Sequence, residues 1–193
     1  MPTTLLIKSN DVTKGTPLGG NIDIDKYVSV IKESQVFVVE PILGTKLYKK
    51  LVQDYEGSSL AGNYLIIHEE YVKPILIQTV AAEYILIASY NVANGGVFKH
   101  QPENGSAVSK TEVDFLANKQ RAKADVYIER LQRFLTDKNS EIPEYTGAQD
   151  NPFDQKPDKE VSTFGGWYLG RDSNGMMSAE AQIYKDIFYD EGR

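Results

Sequence analysis

The chain has no cysteine, only two histidines and one tryptophan. Without cysteine it can build neither a disulfide framework nor a thiolate metal centre, so its stability has to come from packing or from partners. Two histidines, His68 and His100, leave little for a zinc site. His68 stands in LIIHEEYV, where Val72 occupies the place of the second histidine of an HExxH motif. The serine-nucleophile elbow, the phosphate-binding P-loop and the dinucleotide glycine fingerprint are missing as well. Gly165, Gly166 and Gly170 surround aromatic residues and do not lead into a helix at dinucleotide spacing.

Long uncharged apolar runs are also lacking. None reaches the roughly 20 residues that span a bilayer, and Leu5-Leu6-Ile7 is too short for the core of a signal peptide. The expectation is a protein made and used in a cytosol-like compartment, with Asn104-Gly105-Ser106 read as a turn rather than a glycosylation site. A basic cluster is absent too. Residues 1–139 carry 16 Lys/Arg against 16 Asp/Glu, and residues 140–193 carry 5 against 11, so the net charge of −6 lies in the last part of the chain. A nucleic-acid surface needs clustered cations to displace counterions, and none is visible.

What is present is helical periodicity. Residues 8–22 read as an irregular polar lead-in rich in Gly and Pro. A first helix is expected from Asp23 or Asp25, with Ile24, Tyr27, Val28, Ile31 and Phe37 recurring on one face. A second carries Leu43, Leu47, Tyr48 and Leu51 on one stripe. A third begins near Asn63 and meets Pro74, which either kinks it or starts a new helix. From Ile75 to Tyr90, 12 of 16 residues are apolar or aromatic, the mark of a central helix buried nearly all round. Ser109-Lys110-Thr111-Glu112 is a capping box, and it opens a long helix to Asp137 with Val113, Leu116, Gln120, Ala124, Tyr127, Leu131 and Phe134 on one face.

Between the two longest helices, NGGVFKHQPENGSAVS reads as a β-hairpin over 96–108. Val97, Phe98, Lys99 and His100 form one side, Ala107 and Val108 the other, and the turn lies around Pro102–Gly105. Residues 140–160 are acidic and Pro-rich and read as an extended or mobile linker. Residues 161–193 then form an aromatic C-terminal arm with a short terminal helix. Phe164, Trp167, Tyr168, Leu169, Phe188 and Tyr189 are its expected partner-binding anchors, because aromatics bury large areas with few rotatable bonds. The expected fold class is therefore mainly α: a helical core over 23–139 with a β-hairpin, followed by the linker and the extended arm.

Three stretches, Glu40–Leu51 with its LG..LY..L pattern, Tyr71–Leu76 leading into the apolar helix, and Gly95–Asn139 closed by Ile142-Pro143-Glu144-Tyr145, resemble the head–tail connector (adaptor) proteins of tailed bacteriophages. The variant is similar to that of phages and prophages of Bacteroides-type hosts, including crAss-like phages. The likeness covers about residues 22–146, and the aromatic arm maps onto no shared pattern. The resemblance implies a non-enzymatic virion protein without cofactor or membrane partner. It would be a subunit of a twelve-fold homo-oligomeric ring that joins the portal to adjacent tail or ring proteins at the head–tail junction. DNA would only pass through its lumen, and the host cytoplasm would be the place of assembly. Hairpin residues Val97–His100 would then contact a neighbour.

Two other readings remain open from the residues alone. One is another phage ring or tail-completion subunit. The other is a small metal-dependent hydrolase, which needs His68, Glu69, Glu70 and Glu83 to converge in a pocket. The close acids Asp23/Asp25 and Asp150/Asp154/Asp158 read as helix capping and as linker charge, and not as a cation cage.

Overall fold

Pro41 and Pro74 both lie inside continuous helical paths, and the chain accommodates them in the same way. In the computed structural model, which describes residues 4–18, 24–93, 96–99, 109–147 and 149–158, helix α1 (Ser9–Gly15) is followed by α2 (Ile24–Ser34). The latter passes through a π-helical segment, Gln35–Val39, into α3 (Glu40–Leu43). After α4 (Thr45–Glu56), α5 (Gly62–Ile66) runs through the π-helical segment Ile67–Val72 into α6 (Lys73–Ala88). The last N–H before each proline, from Glu40 and from Lys73, donates to the carbonyl five residues back, on Gln35 and on His68. Proline lacks an N–H, and its ring crowds the carbonyl four residues back. The wider π turn relieves that crowding, so the helix continues. It also rotates the helix face: Ile31, Val39 and Ile42 are buried while Phe37, expected among them, is 72 % exposed.

Helix α6 is the hub, packing against α1, α2 and α7 (Lys110–Asp137). Its Ile75, Leu76, Val80 and Tyr84 join Ile31, Leu47, Leu51, Ile67, Leu131 and Leu135 in one buried cluster. By length and composition alone, the 27-residue path Gly62–Ala88 is apolar enough to cross a membrane, and 39 % of its most apolar window is buried in the fold. Helix α7 begins as its sequence predicts. The Ser109 N–H donates to Glu112 Oε2 at 2.9 Å, and the Glu112 N–H donates to Ser109 Oγ at 3.3 Å. Its buried positions are Ala117, Gln120, Ala124, Leu131 and Leu135, whereas Leu116, expected in the core, is exposed. Small residues face α6 over the first half of α7, which lets the two backbones lie close and turns the larger side chains outward.

The fold class needs correction. The described residues form a helical bundle, and the β-hairpin expected over 96–108 is not part of it. The ladder found among them pairs β1 (Tyr90–Ala93) with β2 (Gly96–Lys99), with Tyr90 opposite Lys99 and Ala93 opposite Gly96. The two strands run antiparallel. Val97, Phe98 and Lys99 thus belong to the returning strand. His100 and the rest of the expected turn lie outside the described residues.

The lead-in is also more ordered than its composition suggested. Asp11 accepts from the Lys8 N–H at 2.9 Å and starts α1, which buries Val12. After α7 come a 3-10 turn, Asn139–Glu141, and a short helix α8, Pro143–Thr146. The chain divides into two units, Met1–Glu160 and Val161–Arg193. The second, with Phe164, Trp167, Tyr168, Leu169, Phe188 and Tyr189 and the expected terminal helix, lies outside the described residues.

Candidate functional site

Two buried polar side chains, one from each π-helical segment, grip the same short stretch of main chain. Gln35 Oε1 accepts from the Leu6 N–H at 2.7 Å, and its Nε2 donates to the Thr4 carbonyl and to the Tyr48 hydroxyl, both at 3.2 Å. His68 Nε2 lies 2.8 Å from the Leu6 carbonyl oxygen, and its Nδ1 lies 3.1 Å from Glu69 Oε1. Gln35 and His68 are each only 2 % exposed, and Leu6 and Ile7 between them are fully buried. Leu6 and Ile7 form a bend ahead of α1, and both polar groups of Leu6 are satisfied by side chains. Unmet backbone groups in such a place would carry a large desolvation cost.

Charge around the clamp is settled locally. Burial pushes the Glu69 carboxyl up, but hydrogen bonding and charge from Lys73, together with His68, outweigh it and leave it below the usual carboxylate range. Lys73, donating to Glu69 Oε2 at 3.1 Å, is raised above its ordinary value, chiefly by that bond. Tyr48 is pushed up by burial, against its hydrogen bond with Gln35.

The residues named for the hydrolase reading have partners within the fold. Both ring nitrogens of His68 are engaged inside the fold, and Glu83 pairs with Arg121 at 2.8 Å across α6 and α7. Among the described residues, no three His, Asp or Glu side chains come together to hold a metal ion. An open depression lined by Lys50, Asp54, Asn63 and Tyr64 holds one cation, and Lys50 is already bridged to Asp54 at 2.7 Å.

The acidic segment after α8 is extended, and it is tied to the bundle. Gln155 exchanges two bonds with Thr45: the Thr45 N–H donates to the Gln155 carbonyl and the Gln155 N–H to Thr45 Oγ1, both at 3.0 Å. The Asp158 N–H donates to the Pro41 carbonyl at 2.8 Å. Lys46 and Lys49 reach Asp150 and Asp154 at 2.8 and 3.3 Å. The segment thus straps the start of α4, with Phe153 left 97 % exposed. Near the end of α6 and the start of α7, Ile87, Phe115 and Leu116 are exposed as well, Phe115 at 65 %, and so is Val126 farther along α7.

Of the partner-binding residues expected from the sequence, Val97, Phe98 and Lys99 lie outside the clamp and the strap, and the others fall outside the described residues. Val97, Phe98 and Lys99 are placed by their backbone pairing alone. Gln35 escaped the sequence reading, although a lone amide heading the apolar run QVFVV was the available signal.

Comparison with known proteins bears on this arrangement. The model of a family of unknown function (DUF6712) matches residues 39–154. The chain belongs to this family. The DUF6712 match begins at the end of the first π-helical segment and runs through α3–α8 into the strap, so it takes in Gly44, His68 and Lys46 with its partner Asp150. No curated protein and no solved structure matches the chain.

Proposed function

We propose that this DUF6712 protein is a structural virion component, a ring-forming head–tail connector subunit that joins portal to tail around the DNA channel. The reading is carried by the order and spacing of Glu40–Leu51, Tyr71–Leu76 and the long helix closed by Ile142–Tyr145, which follow the connector pattern. In the fold these stretches form α3 and α4, the helix that passes Pro74, and α7 with α8. Their residues explain packing and turns, as expected of a protein whose work is contact. The outward Phe37, Phe115 and Phe153 support the same reading, since exposed aromatics are the usual anchors of protein interfaces.

The test is assembly. Purified full-length protein, alone and mixed with the portal protein encoded beside it, is examined by light scattering and electron microscopy. Closed rings that bind the portal are expected. Rings that bind only tail proteins would move the protein to a tail-completion role. A monomer that binds neither would overturn the proposal. Removal of residues 161–193 is expected to leave the helical spectrum of the rest intact while abolishing attachment to particles.

A further inference from the structure

Two exposed faces of the bundle carry aromatic residues together with charge of opposite sign. On α7, Phe115, Lys119, Lys123, Val126 and Arg130 step by three or four positions and are all exposed, so they form one stripe on the side away from the core. Leu116 widens its apolar end. Among the described residues these cations are not paired with carboxylates. Lys123 donates to Gln120 Oε1 at 2.9 Å, and Arg130 lies 5.9 and 5.8 Å from the ring centres of Tyr71 and Tyr127. The acids at the two ends of the stripe are engaged, Glu112 with Ser109 and Glu129 with Arg133. The stripe is apolar and basic.

The second face surrounds Phe37, the residue that the first π-helical segment turns outward. Glu33 and Glu40 stand within about one helical turn of it on either side. Glu33 is exposed, and Glu40 accepts from the Thr45 hydroxyl at 2.8 Å. Among the described residues neither carboxylate is paired with a cation. This face is apolar and acidic.

The two faces are complements: each sets an aromatic anchor beside charge of the sign that the other lacks, the combination that fixes partner and register at interfaces. They lie on separate helical paths, since α2 and α7 each pack on α6. A contact between them therefore joins two different patches and is heterologous. Each copy uses one face on its neighbour and keeps the other for the next copy, and repetition gives a ring when the rotation closes.

We propose that the Phe37 face of one copy docks on the α7 stripe of the next, in a head-to-tail contact between copies of this chain. The proposal rests on the ring reading above and assigns the surfaces that form the ring.

The contact is tested on full-length protein, alone and with the portal protein, by light scattering and electron microscopy. Glu33→Lys makes the first face basic, and Lys119→Glu with Lys123→Glu makes the stripe acidic. All three positions are exposed, so the fold should be kept, which circular dichroism checks. Each variant alone sets like charge against like and is expected to self-associate about tenfold or more weakly than the unaltered chain. Mixed, the two are expected to regain assembly at a 1:1 ratio, because every contact between unlike copies again joins opposite charges. Phe37→Ala and Phe115→Ala change no charge; they are expected to weaken assembly as well, and they serve where a charge reversal disturbs folding. Rings from the unaltered chain together with variants that assemble like it, or a mixture that is not restored, overturn this proposal and leave the ring reading standing. An unaltered chain that forms no ring, even with portal present, overturns both.

Discussion

Gly44 and Pro157, 113 positions apart in sequence, are in contact so close that a Cβ on the glycine would stand 2.7 Å from the proline Cδ. Gly44 has φ 75° and ψ 154°, in a region that side-chain-bearing residues almost never occupy, and it forms the corner between α3 and α4. One residue therefore serves as hinge of two helices and as seat of the strap. Gly44→Ala is expected to cost about 1–3 kcal/mol from the backbone alone, with a further loss from the displaced proline. Urea unfolding measures the first effect, and faster proteolysis within 149–158 reports the second.

The clamp on Leu6 predicts coupled losses. Gln35→Ala and His68→Ala each strand one buried polar group of Leu6, at a cost of about 1–3 kcal/mol. Because both side chains hold one residue, the double variant should fall short of the sum by about 0.5 kcal/mol or more. Strict additivity in a denaturation cycle would show that the two bonds act independently.

Glu83 and Arg121 are joined at 2.8 Å, yet both side chains are nearly half exposed. Exposed pairs of this kind contribute about 0–1 kcal/mol, and salt screens them. Replacing either with Ala is expected to change the melting temperature little, and less still in high salt. A large, salt-independent loss would give the pair a structural weight that its exposure does not suggest.

Alkaline pH should loosen the bottom of the bundle. The Tyr64 hydroxyl donates to Glu144 Oε2 at 2.6 Å, and burial, followed by that carboxylate, pushes it up to about 12. Its unfolded value is about 10. Over that interval the unfolded chain gives up the proton first, so the stability held below pH 10 is lost progressively as pH rises towards 12. Tyr64→Phe removes this part of the pH dependence, which melting curves collected from pH 9 to 12 would detect as a flatter slope.

How far the sequence could be read depended on the range of the forces involved. The start of α7 was legible because Ser109 and Glu112 satisfy each other within four residues. The acidic segment was not, because composition records its lack of apolar residues while its partners Thr45, Lys46 and Lys49 lie more than 100 positions away. In α7, Gln120, Ala124 and Leu131 are buried as expected, but near its start Ala117 is buried in place of Leu116, because the closeness of α6 decides which side chain fits between them. Periodicity cannot carry that information.

The sequence by itself determined that this is a helical protein with a long apolar central helix, a capped last core helix and no thiol chemistry. These follow from composition, from 3.6-residue periodicity and from capping, all of them local. Only the tertiary structure decided what Gln35 and His68 do, that two prolines are carried through by π-helical turns, that Gly44 must be glycine, and that residues 149–158 bind back on α4. Each of those depends on groups brought together from distant parts of the chain, where burial and hydrogen-bond satisfaction act on the packed assembly.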